Sequence, residues 1–454
     1  MKRNHARRAP SRNRSSQPSQ RGRSASNQPV ARQLSLSIHD LATDGQGVAR
    51  LGRDVYFVPG ALTGEEVDVE VGARHKKIWQ CQLKSINIAS EARVEPECPN
   101  YHVCGGCDLQ HLAYDSQVEF KQTRVAKEFA RQNIQVADDQ WQSPIIGNPW
   151  HYRRRARVGV RYNKQNEQFF IGFRQEGKSH LANIDSCPVL VEHPSLIWAD
   201  WHQRFAQLDC KDRLTHIEVL QADNRLALVF RILKQLGDQD RTLFSEWADQ
   251  LDIDVYWRDD NRELHLLVAS PTILSHRIQG HDLQVTPDYF MQVNQSVNQQ
   301  MVDRALEWMD VQAGEQIWDL FAGHGNFSLP MAAKTQVAAV EVSDQMVEAL
   351  EAQSERLNRQ LKPIKADLTD DSVLSQLSQP DAVLLDPPRA GAIEILDTLV
   401  SAQPKRIVYV SCDPATLARD LVKLQAEGYV VKQACILDMF PQTHHVETMV
   451  LLTQ

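Results

Sequence analysis

The sequence predicts an α/β protein whose last third is a doubly wound, mostly parallel sheet, preceded by a small N-terminal β-barrel and a central α+β region. Three observations predict it. From about residue 281 onward, short apolar runs alternate with amphipathic stretches, the strand-helix-strand pattern that builds a parallel sheet covered on both faces. Residues 33–90 instead show short alternating apolar runs broken by Gly and Pro turns, as in a small barrel. At 454 residues the chain exceeds one ordinary domain.

Residues 1–32 read as a disordered basic arm, with Lys2, Arg3, Arg7, Arg8, Arg12, Arg14, Arg21, Arg23 and Arg32 and no acidic residue. The formal charge is -8, yet the rest of the chain holds 41 basic against 58 acidic residues, a body of -17. A basic arm on an acidic body points to a polyanion partner, because such arms neutralise phosphates and release counterions. A solubilising tail and an Arg- and Ser-rich transit peptide are the alternatives. No run approaches the roughly 18 apolar residues of a membrane span. No apolar h-region follows the basic start, so no membrane partner is expected and a cytoplasmic location is the default. The eight cysteines are then thiols, metal ligands or nucleophiles, since cytosolic disulfides are rare.

In the barrel segment, runs through Leu34, Leu36 and Ile38, residues 55–58, Val67 to Val71, and Ile78 to Leu83 are separated by turns at Gly45, Gly47, Gly60 and Gly64. Arg74, Lys76 and Lys77 beside Trp79 suit phosphate contact with base stacking, or simply a solvated hairpin. The central region, residues 91–280, opens with a cysteine loop, Cys98-x5-Cys104-x2-Cys107, joined at a distance by Cys187. These thiols make a chelating set that spacing alone does not divide between zinc and iron with sulfur. Residues 122–132 read as an amphipathic helix. Residues 151–162 then alternate Arg with apolar side chains, which predicts a strand with one basic face from Arg153 to Arg161. That face suits RNA, with Tyr152, Tyr162, Phe169 and Phe170 as stacking surfaces; an edge strand guarded by charge is the alternative.

In residues 281–454, strands are expected at 316–321, 336–342, 364–366, 382–385, 407–410 and 447–452, with helices at 327–333 and from Asp344 to about 360. The turn Gly323-His324-Gly325 follows the first strand, Glu341 ends the second where an acid binds ribose hydroxyls, and Asp367 follows the third. The third glycine of a dinucleotide fingerprint is missing, which points to a nucleoside cofactor without phosphates at the turn, S-adenosylmethionine. Asp386-Pro387-Pro388 ends the fourth strand, but Arg389 stands where amino-group methyltransferases keep an aromatic. Cys412 ends the fifth strand, either a small buried hydrophobe or a nucleophile. A thiol there suits methylation of a pyrimidine carbon, since C5 of uracil becomes nucleophilic once a thiolate adds to C6. A base must then remove the C5 proton; Glu447 is the candidate, with His444 and His445 as rivals.

Together the segments Phe290-Met291-Gln292-Val293-Asn294, DLFAGHGNFSLPMA, LLDPPRAGA, IVYVSCDPATLARD and DMFPQTHHVETMVLL resemble the RNA uracil-C5 methyltransferase family, in the family's order. The resemblance implies a Rossmann-like S-adenosylmethionine-dependent domain, with Cys412 as nucleophile and Glu447 as base. It implies Gln292, Phe321, Asn326, Glu341, Asp367 and Asp386 around the methyl donor, and a 4Fe-4S cluster on Cys98, Cys104, Cys107 and Cys187. Residues 33–90 resemble the TRAM domain, an OB-like RNA-binding module. Barrel and cysteine site together resemble the branch acting on 23S ribosomal RNA. A transfer RNA enzyme, an amino-group RNA methyltransferase and a non-catalytic assembly factor are the alternatives, and no obligate protein partner is inferred. Ala322 stands where many members have cysteine, and His445 replaces a common glycine.

Overall fold

Period-two burial curls the first described segment into a six-stranded, barrel-like sheet in the computed structural model, which describes residues 32–454. Its strands are β1 (Arg32–Ser37), β2 (Asp40–Leu41), β3 (Gly47–Leu51), β4 (Asp54–Val58), β5 (Glu66–His75) and β6 (Ile78–Ile88), in the order β1-β5-β6-β4-β3-β2. Leu36, Tyr56, Val58, Val67 and Val69 fill the interior. The expected basic arm lies outside the described residues except for Arg32, which pairs with Val71 and so belongs to the barrel. Trp79 does not offer a free stacking face: Arg74 sits 4.9 Å over its ring and Tyr56 stacks on it.

The first helix, α1 (Tyr114–Arg131), begins eight residues before the expected start, because its buried stripe includes Gln117 and Lys121 as well as Val125 and Phe129. The central sheet follows, from β7 (Arg155–Asn163), β8 (Gln168–Gly172), α2 (Trp198–Ala206), β9 (Leu214–Gln221), β10 (Leu226–Ile232), α3 (Asp238–Leu251), β11 (Asp254–Arg258) and β12 (Leu264–Val268). The order is β12-β11-β10-β9-β7-β8, with an aromatic core of Trp198, Trp201, Phe205, Phe230, Phe244 and Trp247 between sheet and helices.

The basic strand is corrected in two respects. Its strand begins at Arg155, with Arg153 making only isolated bridges to Leu190 and Asn294, and it lies inside the sheet between β8 and β9, so it is not an edge. Arg157 and Arg161 are exposed as expected, but Arg154 is buried. Its Nε donates to the Gln292 carbonyl at 2.8 Å and its Nη1 to Asp223 at 3.1 Å, while Arg155 donates to the carbonyls of Pro287 and Tyr289. These two arginines therefore hold the connection into the C-terminal sheet rather than facing solvent.

After the hairpin β13 (Ser275–Ile278) and β14 (His281–Gln284) come α4 (Gln295–Met309), β15 (Gln316–Leu320), α5 (Ser328–Met331), β16 (Gln336–Glu341), α6 (Asp344–Leu357), β17 (Leu361–Lys365), β18 (Ala382–Leu385), α7 (Leu396–Ser401), β19 (Arg406–Ser411), α8 (Pro414–Ala426), β20 (Val430–Leu437) and β21 (Glu447–Thr453). The seven strands lie in the order β17-β16-β15-β18-β19-β21-β20, the first five parallel and β21 antiparallel to both neighbours. Such reversal of order between β15 and β18 opens a crevice at the strands' carboxyl ends. Among the described residues no helix is long and apolar enough to cross a membrane.

Candidate active site

Five of the expected residues sit where parallel strands end. Phe321 follows β15, Glu341 is the last residue of β16, Asp367 comes two residues after β17, Asp386 follows β18 and Cys412 follows β19. Glu447 opens β21, which runs the other way and so brings its first residue to the same edge.

The glycine turn is shaped by backbone strain. Phe321 takes φ 67°, a left-handed conformation costly for a side chain of its size, and it and Ala322 both donate to the Val340 carbonyl. Gly325 has φ 100°, and a Cβ there would lie 2.6 Å from Leu329; a Cβ at Gly323 would meet nothing within 4 Å, so that side of the turn is open. Glu341 braces the turn: its carboxylate accepts from the amides of Gly323, Val342 and Ser343 at 2.9–3.0 Å. Asn326 and Asn298 of α4 exchange reciprocal amide hydrogen bonds at 2.9 and 3.0 Å. Gln292 lies on the strap tied down by Arg154. Asp367 is exposed and turns back to its own loop, accepting from the Thr369 amide at 2.9 Å.

Cys412 and Glu447 are brought together by register. Ser411 of β19 pairs with Thr448 of β21, so one step further along the pair Cys412 and Glu447 leave adjacent strands at the same level. Their charges reach each other. Burial, then Glu447 and Asp386, raise the Cys412 thiol, and the Arg389 cation opposes them. Burial, then Asp386, push the Glu447 carboxyl up to about 8, and its Oε2 has no hydrogen-bond partner. Burial pushes Asp386 up to about 7. Asp413 caps α8 immediately after the thiol, accepting from the amides of Ala415 and Thr416 at 3.0 Å, which fixes the turn that carries Cys412.

The two histidines before Glu447 are placed differently. His444 is engaged: its ring nitrogen Nδ1 lies 2.6 Å from Asp108 and its amide donates to the same carboxylate at 2.7 Å. His445 packs against it, and burial lowers it to about 4, so it is neutral. Farther back, Cys98, Cys104, Cys107 and Cys187 line one cavity of about 120 Å³ with Tyr101, Gly106 and Arg153. Burial pushes Cys107 to about 12 and Cys187 to about 11, the behaviour of thiols packed away from water. Among the described residues no three of these sulfurs lie within 4.8 Å of one another.

A family profile described as tRNA (Uracil-5-)-methyltransferase matches residues 113–454. The chain belongs to this uracil-5-methyltransferase family. Within it, the chain is 40% identical over 438 residues to 23S rRNA (uracil(1939)-C(5))-methyltransferase RlmD of Shewanella frigidimarina, covering 93% of this chain and 96% of that protein. It is 39% identical over 429 residues to the protein of the same name from Shewanella amazonensis, with the same coverage. Among solved structures, the Pyrococcus abyssi tRNA (uracil-54, C5)-methyltransferase in complex with S-adenosyl-L-homocysteine superposes with a TM-score of 0.72 at 26% identity, covering 92% of this chain and 99% of that one. The uracil-5-methyltransferase fold is thus present nearly end to end.

Several residues at this methyltransferase site escape a reading of the sequence. Asp319 is fully buried in β15, where Ser328 donates to it; burial, then Asp386 and Glu341, push it up to about 7. His324 of the glycine turn meets His276 of β13 at 2.8 Å, and burial lowers them to about 4 and about 2, so this is a neutral pair. An acid inside an apolar strand is a signal that can be found in sequence; a histidine pair formed across 48 residues is not.

Proposed function

We propose that this chain is a cytoplasmic enzyme that transfers a methyl group from S-adenosylmethionine to C5 of a specific uridine in 23S ribosomal RNA. The observation that carries this reading is the register that sets Cys412 beside Glu447 at the crevice edge. The 23S rRNA assignment is supported by relatives of that name aligned over nine-tenths of the chain.

The residues fit the methyl donor. Gln292, Phe321, Asn326, Glu341, Asp367 and Asp386 would hold S-adenosylmethionine, beside a turn left open at Gly323 and strained at Phe321. When bound, it supplies an electrophilic methyl group. Cys412 first loses its proton to solvent, and the thiolate adds to C6 of the flipped uracil, forming an S–C6 bond and moving the C5=C6 electron pair toward the C4 carbonyl as an enolate. C5 would then be the nucleophile toward the methyl group, whose bonding pair would stay with the donor's sulfur as a neutral thioether. Glu447 removes the remaining C5 proton, the electron pair reforms C5=C6, and the S–C6 bond breaks to release the thiolate. Glu447 is favoured over its neighbours because His444 is held by Asp108 and His445 is a weak base, whereas burial makes the Glu447 carboxylate a stronger one.

Cys98, Cys104, Cys107 and Cys187 fit a 4Fe-4S cluster better than one zinc ion. A tetrahedral zinc with bonds of about 2.3 Å draws its sulfurs to roughly 3.8 Å apart, closer than this wider cavity holds them. No redox step is needed in the reaction, so the cluster is structural or RNA-positioning. Residues 32–90 act as a TRAM-like RNA-binding barrel, 91–280 as the cluster-bearing central domain and 281–454 as the methyltransferase domain. A second reading, a transfer RNA substrate, is favoured by the solved structure that matches most of the chain. Mass-spectrometric mapping of 5-methyluridine in 23S and transfer RNA from a strain lacking the gene separates them. Loss of one 5-methyluridine from 23S RNA supports the proposal; loss from transfer RNA alone overturns it.

A further inference from the structure

The central sheet has two faces of different character. One packs Val158, Ile217 and Phe230 into the aromatic core. On the other, pairing sets Arg157 opposite Glu218, and Gly159 opposite both Gly172 and His216, with Arg231 next to His216 and Arg161 opposite Phe170. Arg157 and Arg161 are exposed, as is Arg174 two residues beyond β8, while Arg231 and Phe170 are half-buried. Burial, then Arg157, Arg231 and Arg174, lower the His216 ring, so three cations surround one side chain. Arg157, Arg161, Arg174 and Arg231 make no ion pair among the described residues. Glu218, the carboxylate in these paired rows, lies 3.9 Å from Arg258.

Like charges held side by side on a sheet destabilise it, and this chain has acid to spare, with 58 acidic against 50 basic residues. Guarding an edge does not account for these arginines, because β7 lies between β8 and β9. An unpaired basic face on an acidic body is the electrostatic footprint of a polyanion. Arg157 and Arg161 stand roughly 13 Å apart along the strand, so a string of phosphates spans them where one small anion does not. The row also has a direction: it begins at Arg155, which donates to the carbonyls of Pro287 and Tyr289 on the segment leading to Gln292. Arg174 is fixed from behind, since the Gly105 amide of the cysteine loop donates to its carbonyl at 2.8 Å and Cys104 bridges to Gln175. We propose that this open face of the central sheet grips the RNA backbone flanking the target uridine, with Arg157, Arg161 and Arg174 each taking a phosphate and Phe170 stacking on a base, an inference that rests on the RNA methyltransferase reading above. It deepens that reading by giving the cysteine loop a task, that of holding Arg174 in the row.

The test is the triple variant Arg157→Gln, Arg161→Gln and Arg174→Gln in the full chain. Its control removes three exposed lysines near the amino ends of C-terminal strands, Lys334→Gln, Lys362→Gln and Lys432→Gln. Affinity for a 23S RNA fragment that the wild-type protein methylates is measured against salt, with S-adenosylmethionine affinity and the thermal midpoint alongside. The proposal expects the arginine variant's RNA Kd to rise about 10- to 100-fold near 0.1 M salt and its log–log salt slope to become shallower by roughly 2, about 0.7 for each single-strand phosphate. The lysine control should stay near the wild type. Methyl-donor affinity of the arginine variant should be unchanged and its midpoint should not fall, since a repulsive cluster has been removed. An unchanged slope overturns the proposal, as does an equal loss in the lysine control, which would show a response to net charge alone. Should the triple variant fail to fold, Arg157→Gln and Arg161→Gln singly carry the same measurements, each expected to take about 0.7 from the slope. Wild-type turnover on RNA judges the function separately: its absence rejects that reading, whereas the variant's slope judges this face.

Discussion

The carboxylate of Asp108 receives both the backbone amide and the ring of His444, at 2.7 and 2.6 Å, across 336 residues of sequence. Asp108 follows Cys107, and His444 precedes Glu447 by three residues. The tie is reinforced on each side: the amides of Asp108 and Leu109 donate to the Gln442 carbonyl, and Gln117 and Gln442 exchange two hydrogen bonds at 3.0 Å. The cysteine loop and the approach to Glu447 therefore form one hydrogen-bonded unit.

If the four cysteines hold the proposed cluster, removing it should loosen both halves of that unit. Chelation is expected to speed amide exchange in residues 98–112 and also in 438–446, with the barrel core unaffected. Hydrogen-exchange mass spectrometry checks it; faster exchange confined to 98–112 would show that the two loops are independent.

Glu447→Gln should gain stability relative to the wild type as pH rises. An ordinary glutamate carboxyl ionises near 4.5, whereas the folded Glu447 keeps its proton up to about 8. Between those values unfolding releases a proton, so the side chain costs the fold progressively more from pH 4.5 to 8, and glutamine removes that cost. Thermal midpoints at pH 5 and pH 9 should diverge in the variant's favour at the higher pH, while turnover is lost. The wild-type rate at saturating substrates should rise with pH toward 8 as the base ionises.

The two glycines of the cofactor turn should respond unequally. Gly325→Ala forces a Cβ to within 2.6 Å of Leu329 and 2.9 Å of Leu350 at φ 100°, which is expected to cost about 1–3 kcal/mol of stability. Gly323→Ala meets no neighbour but places a Cβ at φ 56°, a left-handed conformation that costs about 1 kcal/mol, so its thermal midpoint should fall less than that of Gly325→Ala while S-adenosylmethionine binding weakens. Calorimetric titration beside thermal melts separates the two outcomes.

Lys121 and Asp438, both 0% exposed, pair at 2.5 Å inside the protein. Lys121→Met leaves Asp438 buried without its cation, at a cost of about 3–5 kcal/mol. Denaturant unfolding should show that loss, and the double variant Lys121→Met with Asp438→Leu should recover most of it.

Strand ends were the legible part of this protein. Apolar runs followed by Asp386 or Cys412 can only be buried strands delivering a polar residue to an edge, and the structure puts both there. What the sequence concealed were polar residues spent on distant partners. Gln117 and Lys121 interrupt the apolar period of α1 because their partners, Gln442 and Asp438, lie more than 300 residues away, so the helix seemed to start late. Arg154 has the parity of Ala156, Val158 and Val160, so alternation puts it on the buried face opposite Arg157, but its partners Gln292 and Asp223 lie too far along the chain for the sequence to show what satisfies it. The strand β20 mixes Lys432 and Gln433 into its apolar residues and shifts register between Val431 and Gln433, which blurs the alternation that would announce it.

The most direct test of the Cys412–Glu447 pairing is to mix Glu447→Gln protein with S-adenosylmethionine and 23S RNA and look for a protein–RNA species that survives denaturation. With the base removed, the C5 proton stays and the thioether to C6 is not eliminated. A methylated adduct mapping by mass spectrometry to Cys412, absent from the Cys412→Ala protein, is the predicted result. Full turnover by Cys412→Ala, or an adduct on any other residue, would contradict it.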